Sequence, residues 1–121
     1  MHLHQSGEDY LETIFLLLQE KGTVRSIDVA QRMGFSKPSV SRAMSILRAD
    51  GYIEMAKSGS ITLTEDGERV ARAMYDRHQL ITNWLTGLGV SPEVAANDAC
   101  RMEHAISEET FACIKKYLGE Q

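Results

Sequence analysis

Two cysteines, two prolines, one tryptophan and no apolar run longer than Ile14–Leu18 set the first limits on this 121-residue chain. Two cysteines do not make a disulfide framework, so thiols are the expected state. A run of five apolar residues falls far short of the roughly 20 that cross a bilayer, which excludes a membrane-spanning helix. The opening residues MHLHQSGEDY lack the basic and apolar parts of a signal peptide, and a cytoplasmic location is expected. Positive charge is also in deficit. Thirteen Lys and Arg against 17 Asp and Glu give a net charge of -4, which taken alone argues against a nucleic-acid partner. What remains is an ordinary globular composition, 43% hydrophobic and 25% charged, in a chain long enough for one or at most two small domains with a real core.

The distribution of charge points the other way from its sum. Residues 21–60 hold seven basic residues (Lys21, Arg25, Arg32, Lys37, Arg42, Arg48, Lys57) and three acids (Asp28, Asp50, Glu54). The first 20 residues hold four acids and no Lys or Arg, and residues 61–121 hold ten acids against six bases. A basic segment between two acidic ones implies one anion-binding surface on a protein whose other surfaces do something else.

Periodicity then divides the chain. In SGEDYLETIFLLLQEKG, Ser6 is a candidate cap, Tyr10, Ile14, Leu17 and Leu18 recur at helical spacing, and Gly22 stops the helix. RSIDVAQRMG follows, with Ser26 as cap, Ile27, Ala30 and Met33 facing inward and Gly34 as the stop. In FSKPSVSRAMSILRADG, Ser36 caps, Pro38 sits in the first turn, and Val40, Met44 and Leu47 make the apolar stripe. The period then shortens to two: YIEMA and SITLT flank KSG and read as a hairpin. Thr64 caps a long helix with Val70, Met74, Ile81 and Leu85 on one side; Ser91 with Pro92, and then Ser107, open two more. The expected fold is mostly α: an N-terminal winged helix-turn-helix with a two-stranded wing, followed by a helical region.

Such a fold places the third helix where it can enter a major groove. Its exposed face would carry Ser36, Lys37, Pro38, Ser39, Ser41, Arg42 and Arg48, with Arg25 nearby and Lys57 and Ser58 at the hairpin tip. Side chains of this kind contact phosphates and base edges. A solvated helix and a solvated turn are the plainer alternative for the same residues.

A second constellation lies further on. In DACRMEHAIS, Cys100, Glu103 and His104 stand at i, i+3 and i+4 and share one helical face. Burying Glu103 and His104 without partners would cost several kcal/mol, and either a divalent metal or a salt-bridge network removes that cost. Asp9 and Glu12 on the first helix and His78 on the fourth are further candidate ligands, though acids in a first turn also complement the helix dipole. Cys113, between Ala112 and Ile114, reads as a small core residue, which is also an alternative for Cys100. His2 and His4 are given no role.

The segments EDYLETIFLL, VRSIDVAQRMGFSKPSVSRAMSILRADGYI, ITLTEDGERVA, RHQLITNWLTGLGV and DACRMEHAIS together resemble the diphtheria toxin repressor/manganese transport regulator family of metal-dependent transcriptional repressors, in the family's order and over nearly the whole chain. The resemblance implies a homodimer, with residues 1–64 as the DNA-binding domain and residues 65–121 as the metal-binding and dimerisation domain. It implies Asp9, Glu12, His78, Cys100, Glu103 and His104 as metal ligands, and a palindromic double-stranded DNA operator as partner. Two departures bear on the metal. The iron branch has a methionine where Asp9 stands, and its ancillary site uses a Glu and a His where this chain has Thr82 and Ala96, so that site is not expected here. The iron branch also usually continues into an SH3-like domain, which is not expected in a sequence ending at Gln121. The manganese branch has the aspartate but a glutamate where Cys100 stands. Asp9 and Glu12 favour a hard ion such as Mn²⁺, while a Cys100 thiolate favours Fe²⁺, Co²⁺ or Zn²⁺. The expected cofactor is Mn²⁺ or Fe²⁺, with Co²⁺, Zn²⁺ or Ni²⁺ as substitutes in vitro. The rivals are a winged-helix sensor of an organic ligand with a structural metal, and a metalloenzyme using an open coordination position.

Overall fold

The computed structural model describes residues 3–119, so His2 lies outside the described residues. Among them stand six α-helices and one two-stranded sheet. The chain divides into two compact units, Met1–Arg72 and Ala73–Gln121. No described helix is long and apolar enough to cross a membrane.

The first unit opens with α1 (Gln5–Lys21), which buries Tyr10, Leu11, Ile14, Phe15 and Leu17 and ends on Gly22. It begins ahead of the expected cap: His4, not Ser6, holds the N-cap position, and no side chain bonds the exposed amides there. Glu8 in the first turn supplies the negative charge that this end of a helix favours. The second helix, α2 (Ser26–Met33), also starts one residue early. Arg25 takes the cap position, and the Asp28 carboxylate accepts the Arg25 backbone N–H at 2.9 Å. Val29 and Ala30 are buried there, whereas Ile27, expected inside, is 37% exposed. At about 100° per residue Ile27 lies roughly 200° from Val29, on the opposite side of the helix.

After Gly34, Ser36 caps α3 (Lys37–Ala49) by accepting the Ser39 N–H at 3.3 Å. Val40, Met44 and Leu47 are buried as the apolar spacing requires, and α3 packs against α2 and the wing. That wing pairs β1 (Ile53–Met55) antiparallel with β2 (Ile61–Leu63), with Ile53 opposite Leu63 and Met55 opposite Ile61. Lys57-Ser58-Gly59 forms its tip: Ala56 N–H donates to Ser60 C=O at 2.9 Å, and Gly59, at φ +91°, takes the left-handed position that a three-residue hairpin loop needs. The Ile61 N–H donates to Val24 C=O at 2.7 Å, tying the wing to the connection between α1 and α2.

The helix α4 (Glu65–Gly87) starts in the first unit and continues into the second. Thr64 holds its start: the hydroxyl accepts the Gly67 N–H at 3.1 Å and donates to Gly51 C=O at 2.6 Å. At Gly67 the helix meets the backbone of Tyr52 so closely that a Cβ there would lie 2.0 Å from the Tyr52 carbonyl oxygen. In the second unit, α5 (Pro92–Ala105) begins at Ser91 without a side-chain cap, and α6 (Glu108–Gly119) begins where Ser107 Oγ accepts the Thr110 N–H at 3.1 Å. No residue of α6 is buried, and Cys113 is exposed rather than in a core. The core role expected of it fails because α6 covers little of itself against its own chain.

Candidate functional site

The basic segment of the sequence maps onto α3 and the wing. Ser36, Lys37, Pro38, Ser39, Ser41, Arg42 and Arg48 are all exposed, while Val40, Met44 and Leu47 are buried. Arg25, at the start of α2, and Lys57 and Ser58, at the hairpin tip, are exposed too. No acid occurs within α3, so its positive N-terminal end stands uncompensated beside Lys37. Among the described residues the basic side chains separate into two groups. Lys21 and Arg32 are occupied, in ion pairs with Asp28 and Glu20. Arg25, Lys37, Arg42, Arg48 and Lys57 enter no ion pair among the described residues, which leaves a set of charges available to phosphate.

The metal candidates fall in both units. In the first, Asp9 and Glu12 stand one turn apart on α1; Asp9 is half-buried and Glu12 is 9% exposed, unusual seclusion for a carboxylate. In the second unit, Ala95, Ala99 and Glu103 form a stripe at four-residue spacing along α5, each fully buried. The two alanines open the stripe, and the third position on it is a carboxylate. Glu103 Oε2 lies 3.0 Å from His78 Nδ1 on α4, and Glu103 Oε1 lies 3.4 Å from His104 Nε2. At 3.0 Å the His78 Nδ1–Glu103 Oε2 contact is a hydrogen bond, and the O and N donors of this set are also of the kind that could hold Mn²⁺, Fe²⁺ or Zn²⁺.

Cys100 does not share this seclusion. It is exposed, so neither the core alternative nor a place on the buried stripe describes it. One turn before Glu103, it lies about 60° around the helix from Glu103 and about 100° from Ala99.

One residue escaped the sequence reading. Arg77, immediately before His78, is 7% exposed, and its Nη1 donates to Glu103 C=O at 2.8 Å and to Ile106 C=O at 2.9 Å. Its guanidinium lies over the Phe111 ring at 5.1 Å. The available signal was an arginine among the half-apolar positions of α4, where burial demands a partner.

Comparison with known proteins places these units in a family. Residues 2–61 match the iron dependent repressor N-terminal DNA binding domain, and residues 64–121 match the iron dependent repressor metal binding and dimerisation domain. The transcriptional regulator MntR of Escherichia coli O6:H1 is 40% identical over 116 residues, covering 96% of this chain and 75% of that protein. The HTH-type transcriptional regulator MntR of Bacillus subtilis (strain 168) is 33% identical over 102 residues, 84% of this chain and 72% of that protein. Among solved structures, a manganese-dependent transcriptional repressor in complex with manganese superposes with a TM-score of 0.83 at 33% identity over 93% of this chain. This chain spans about half the length of that structure, 52%. These relatives are regulators and not enzymes, which removes the metalloenzyme reading. With residues 2–61 and 64–121 matched by its two models, the chain belongs to the iron dependent repressor family of metal-dependent transcriptional regulators.

Proposed function

We propose that this chain is a cytoplasmic, metal-activated repressor of metal-uptake genes that binds a palindromic operator as a homodimer. The observation that carries the reading is Glu103: a fully buried carboxylate with an imidazole nitrogen beside each oxygen, in a unit that matches a metal-binding domain. The ligand set is Asp9, Glu12, His78, Cys100, Glu103 and His104, and the DNA-contacting set is the exposed face of α3 with Arg25, Lys57 and Ser58. A bound divalent cation would supply the positive charge that lets several anionic donors stand together. Asp9 and Glu12 belong to the helix that buttresses α3 through α2, whereas the other donors belong to the second unit. Carboxylates of like charge resist convergence, so donors on both units link metal occupancy to the arrangement of the DNA-reading helices.

Dimerisation in this reading uses the apolar surface that the second unit leaves open, with Leu88 67%, Val94 49% and Tyr117 66% exposed. A dimer presents two α3 helices to half-sites about one helical turn apart, and a fixed spacing raises affinity. Metal shifts DNA affinity only by its differential binding to the two arrangements, typically about 1–3 kcal/mol. The solved structure named as a manganese-dependent repressor weighs the choice of ion towards Mn²⁺, with Fe²⁺, the metal in the matched family's description, as the alternative. The test is anaerobic selection of genomic DNA fragments in chelator, in Fe²⁺ and in Mn²⁺. Enrichment of a palindrome only with metal is the expected result, and the stronger ion names the signal. Equal enrichment in chelator would leave a winged-helix DNA binder without metal control.

A further inference from the structure

The last carbonyls of a helix have no amide partner within it, and those that end in a buried place need one from elsewhere. At the C-terminal end of α5 the partner comes from another helix. Arg77 of α4 holds two carbonyls at once, Glu103 C=O at 2.8 Å and Ile106 C=O at 2.9 Å, from 26 and 29 residues away. Ile106 has left the helix, with φ -97° and ψ 149°, so the two bonds bracket the turn where α5 ends. The buried guanidinium charge faces the negative end of the α5 dipole and lies over the Phe111 ring of α6.

This arrangement divides the labour at Glu103. Arg77 takes the backbone oxygen, and the side-chain carboxylate is left towards His78 and His104. An arginine bonded to the carboxylate itself would compete with a cation for it; this one does not. Because Arg77 and His78 are neighbours on α4, the same bonds fix where the helix that bears His78 meets the turn of α5 that bears Glu103 and His104.

We infer that Arg77 is a positioning residue for the metal half-site, setting the mutual placement of His78, Glu103 and His104 and with it affinity for the ion. The inference rests on the metal-sensing reading above. Outer partners that orient ligands are typically worth about 10–100-fold in metal affinity.

The experiment compares the full chain with Arg77→Met and Arg77→Lys, by anaerobic Mn²⁺ titration calorimetry and by the visible absorption spectrum of the Co²⁺-loaded protein, with circular dichroism in chelator. Arg77→Met should keep the helical spectrum in chelator, weaken Mn²⁺ binding by about 10–100-fold and shift the Co²⁺ bands, because the ligand geometry relaxes. Arg77→Lys should fall between, since an ammonium lacks the planar fork. Parental Mn²⁺ affinity with parental Co²⁺ bands in Arg77→Met overturns the inference. Should Arg77→Met fail to fold, Arg77→Lys decides: weaker Mn²⁺ binding with displaced bands supports the role, and parental values overturn it. Failure of the parent chain itself to bind either ion would instead overturn the metal-sensing reading.

Discussion

Replacing Gly67 by alanine sets two physical effects against each other, and their sizes decide the sign. Helix propensity alone favours alanine in a helix interior by about 1 kcal/mol. At this position, though, the new Cβ would sit 2.0 Å from the Tyr52 carbonyl oxygen and 3.0 Å from its carbon, with Leu63 Cδ2 at 3.4 Å. An ordinary carbon–oxygen contact is about 3.3–3.6 Å, so backbone must move by more than an ångström and no side chain can swing aside instead. Overpacking of this kind costs about 1–3 kcal/mol. The Tyr52 carbonyl also accepts the Thr64 N–H at 3.1 Å, and losing that bond costs about 1 kcal/mol more. The net expectation is a loss of about 2 kcal/mol, or roughly 8 °C in Tm for a chain of this size. Gly87, near the other end of the same helix, has nothing within 4 Å of a built Cβ and serves as the control. Urea unfolding followed by circular dichroism should find Gly67→Ala weaker and Gly87→Ala equal to the parent or stronger by up to about 1 kcal/mol. A Gly67→Ala chain as stable as its parent would refute the close approach and with it the account of how the wing meets α4.

Glu103→Gln keeps the volume and removes the charge: the roughly 2.7 kcal/mol that a ligand at 100 times its Kd contributes should disappear from a melt in Mn²⁺, measured against the same variant's melt in chelator. An undiminished Mn²⁺ shift would remove Glu103 from the ligand set. Arg42→Ala should lower the slope of log K against log salt for duplex DNA by about 0.9, one phosphate contact, and an unchanged slope places Arg42 away from DNA. The hydrogen bond from Lys21, with that from the Arg25 amide, holds the Asp28 carboxyl below its ordinary value. A depressed carboxyl stabilises the fold above the unfolded value of about 3.9 and loses that stabilisation as pH falls through the folded value. Asp28→Asn should therefore cost up to about 1 kcal/mol at neutral pH, shrinking in acid, and a gap that persists at pH 2 would contradict the assignment.

What could be read in advance was governed by local chemistry. The helix stops at Gly22 and Gly34, the caps Ser36, Thr64 and Ser107, and the Lys57-Ser58-Gly59 tip each depend on a few consecutive residues, and each stands where the sequence put it. The errors share another origin. Ser26 looked like a cap, but the Asp28 carboxylate serves the amide of Arg25, so α2 starts one residue early; which side of it is buried, Val29 and not Ile27, is set by the packing of α1 and α3 against it. Cys113 sits among apolar neighbours, yet exposure depends on what covers α6, which its own chain does not supply. In the candidate site, spacing put Cys100, Glu103 and His104 on one face, yet Glu103 is fully buried and Cys100 exposed. That difference was not legible from spacing, because it comes from the Ala95–Ala99–Glu103 stripe on α5 and from Arg77, 26 residues away from Glu103.

Cys100 is the residue on which the identity of the ion turns. The donors secluded in the second unit, His78, Glu103 and His104, are nitrogen and oxygen, and such a set does not by itself separate Mn²⁺ from Zn²⁺; raw affinity follows the Irving–Williams order and favours zinc. A sulfur added to the shell steepens that preference, and it must be a thiolate to bind. Cys100→Glu replaces it with the harder donor. If Cys100 ligates, anaerobic competition titrations should find the Zn²⁺-over-Mn²⁺ ratio reduced by about tenfold or more in Cys100→Glu, the scale on which even outer partners act. The sulfur-to-metal charge-transfer absorption of the Co²⁺-loaded parent should vanish with it. A parent without that absorption, and a ratio untouched by the substitution, would show that the exposed position of Cys100 is its working position. Selectivity would then rest on the hard carboxylates Asp9 and Glu12, which narrow the advantage of softer ions over Mn²⁺, and on the geometry of the site.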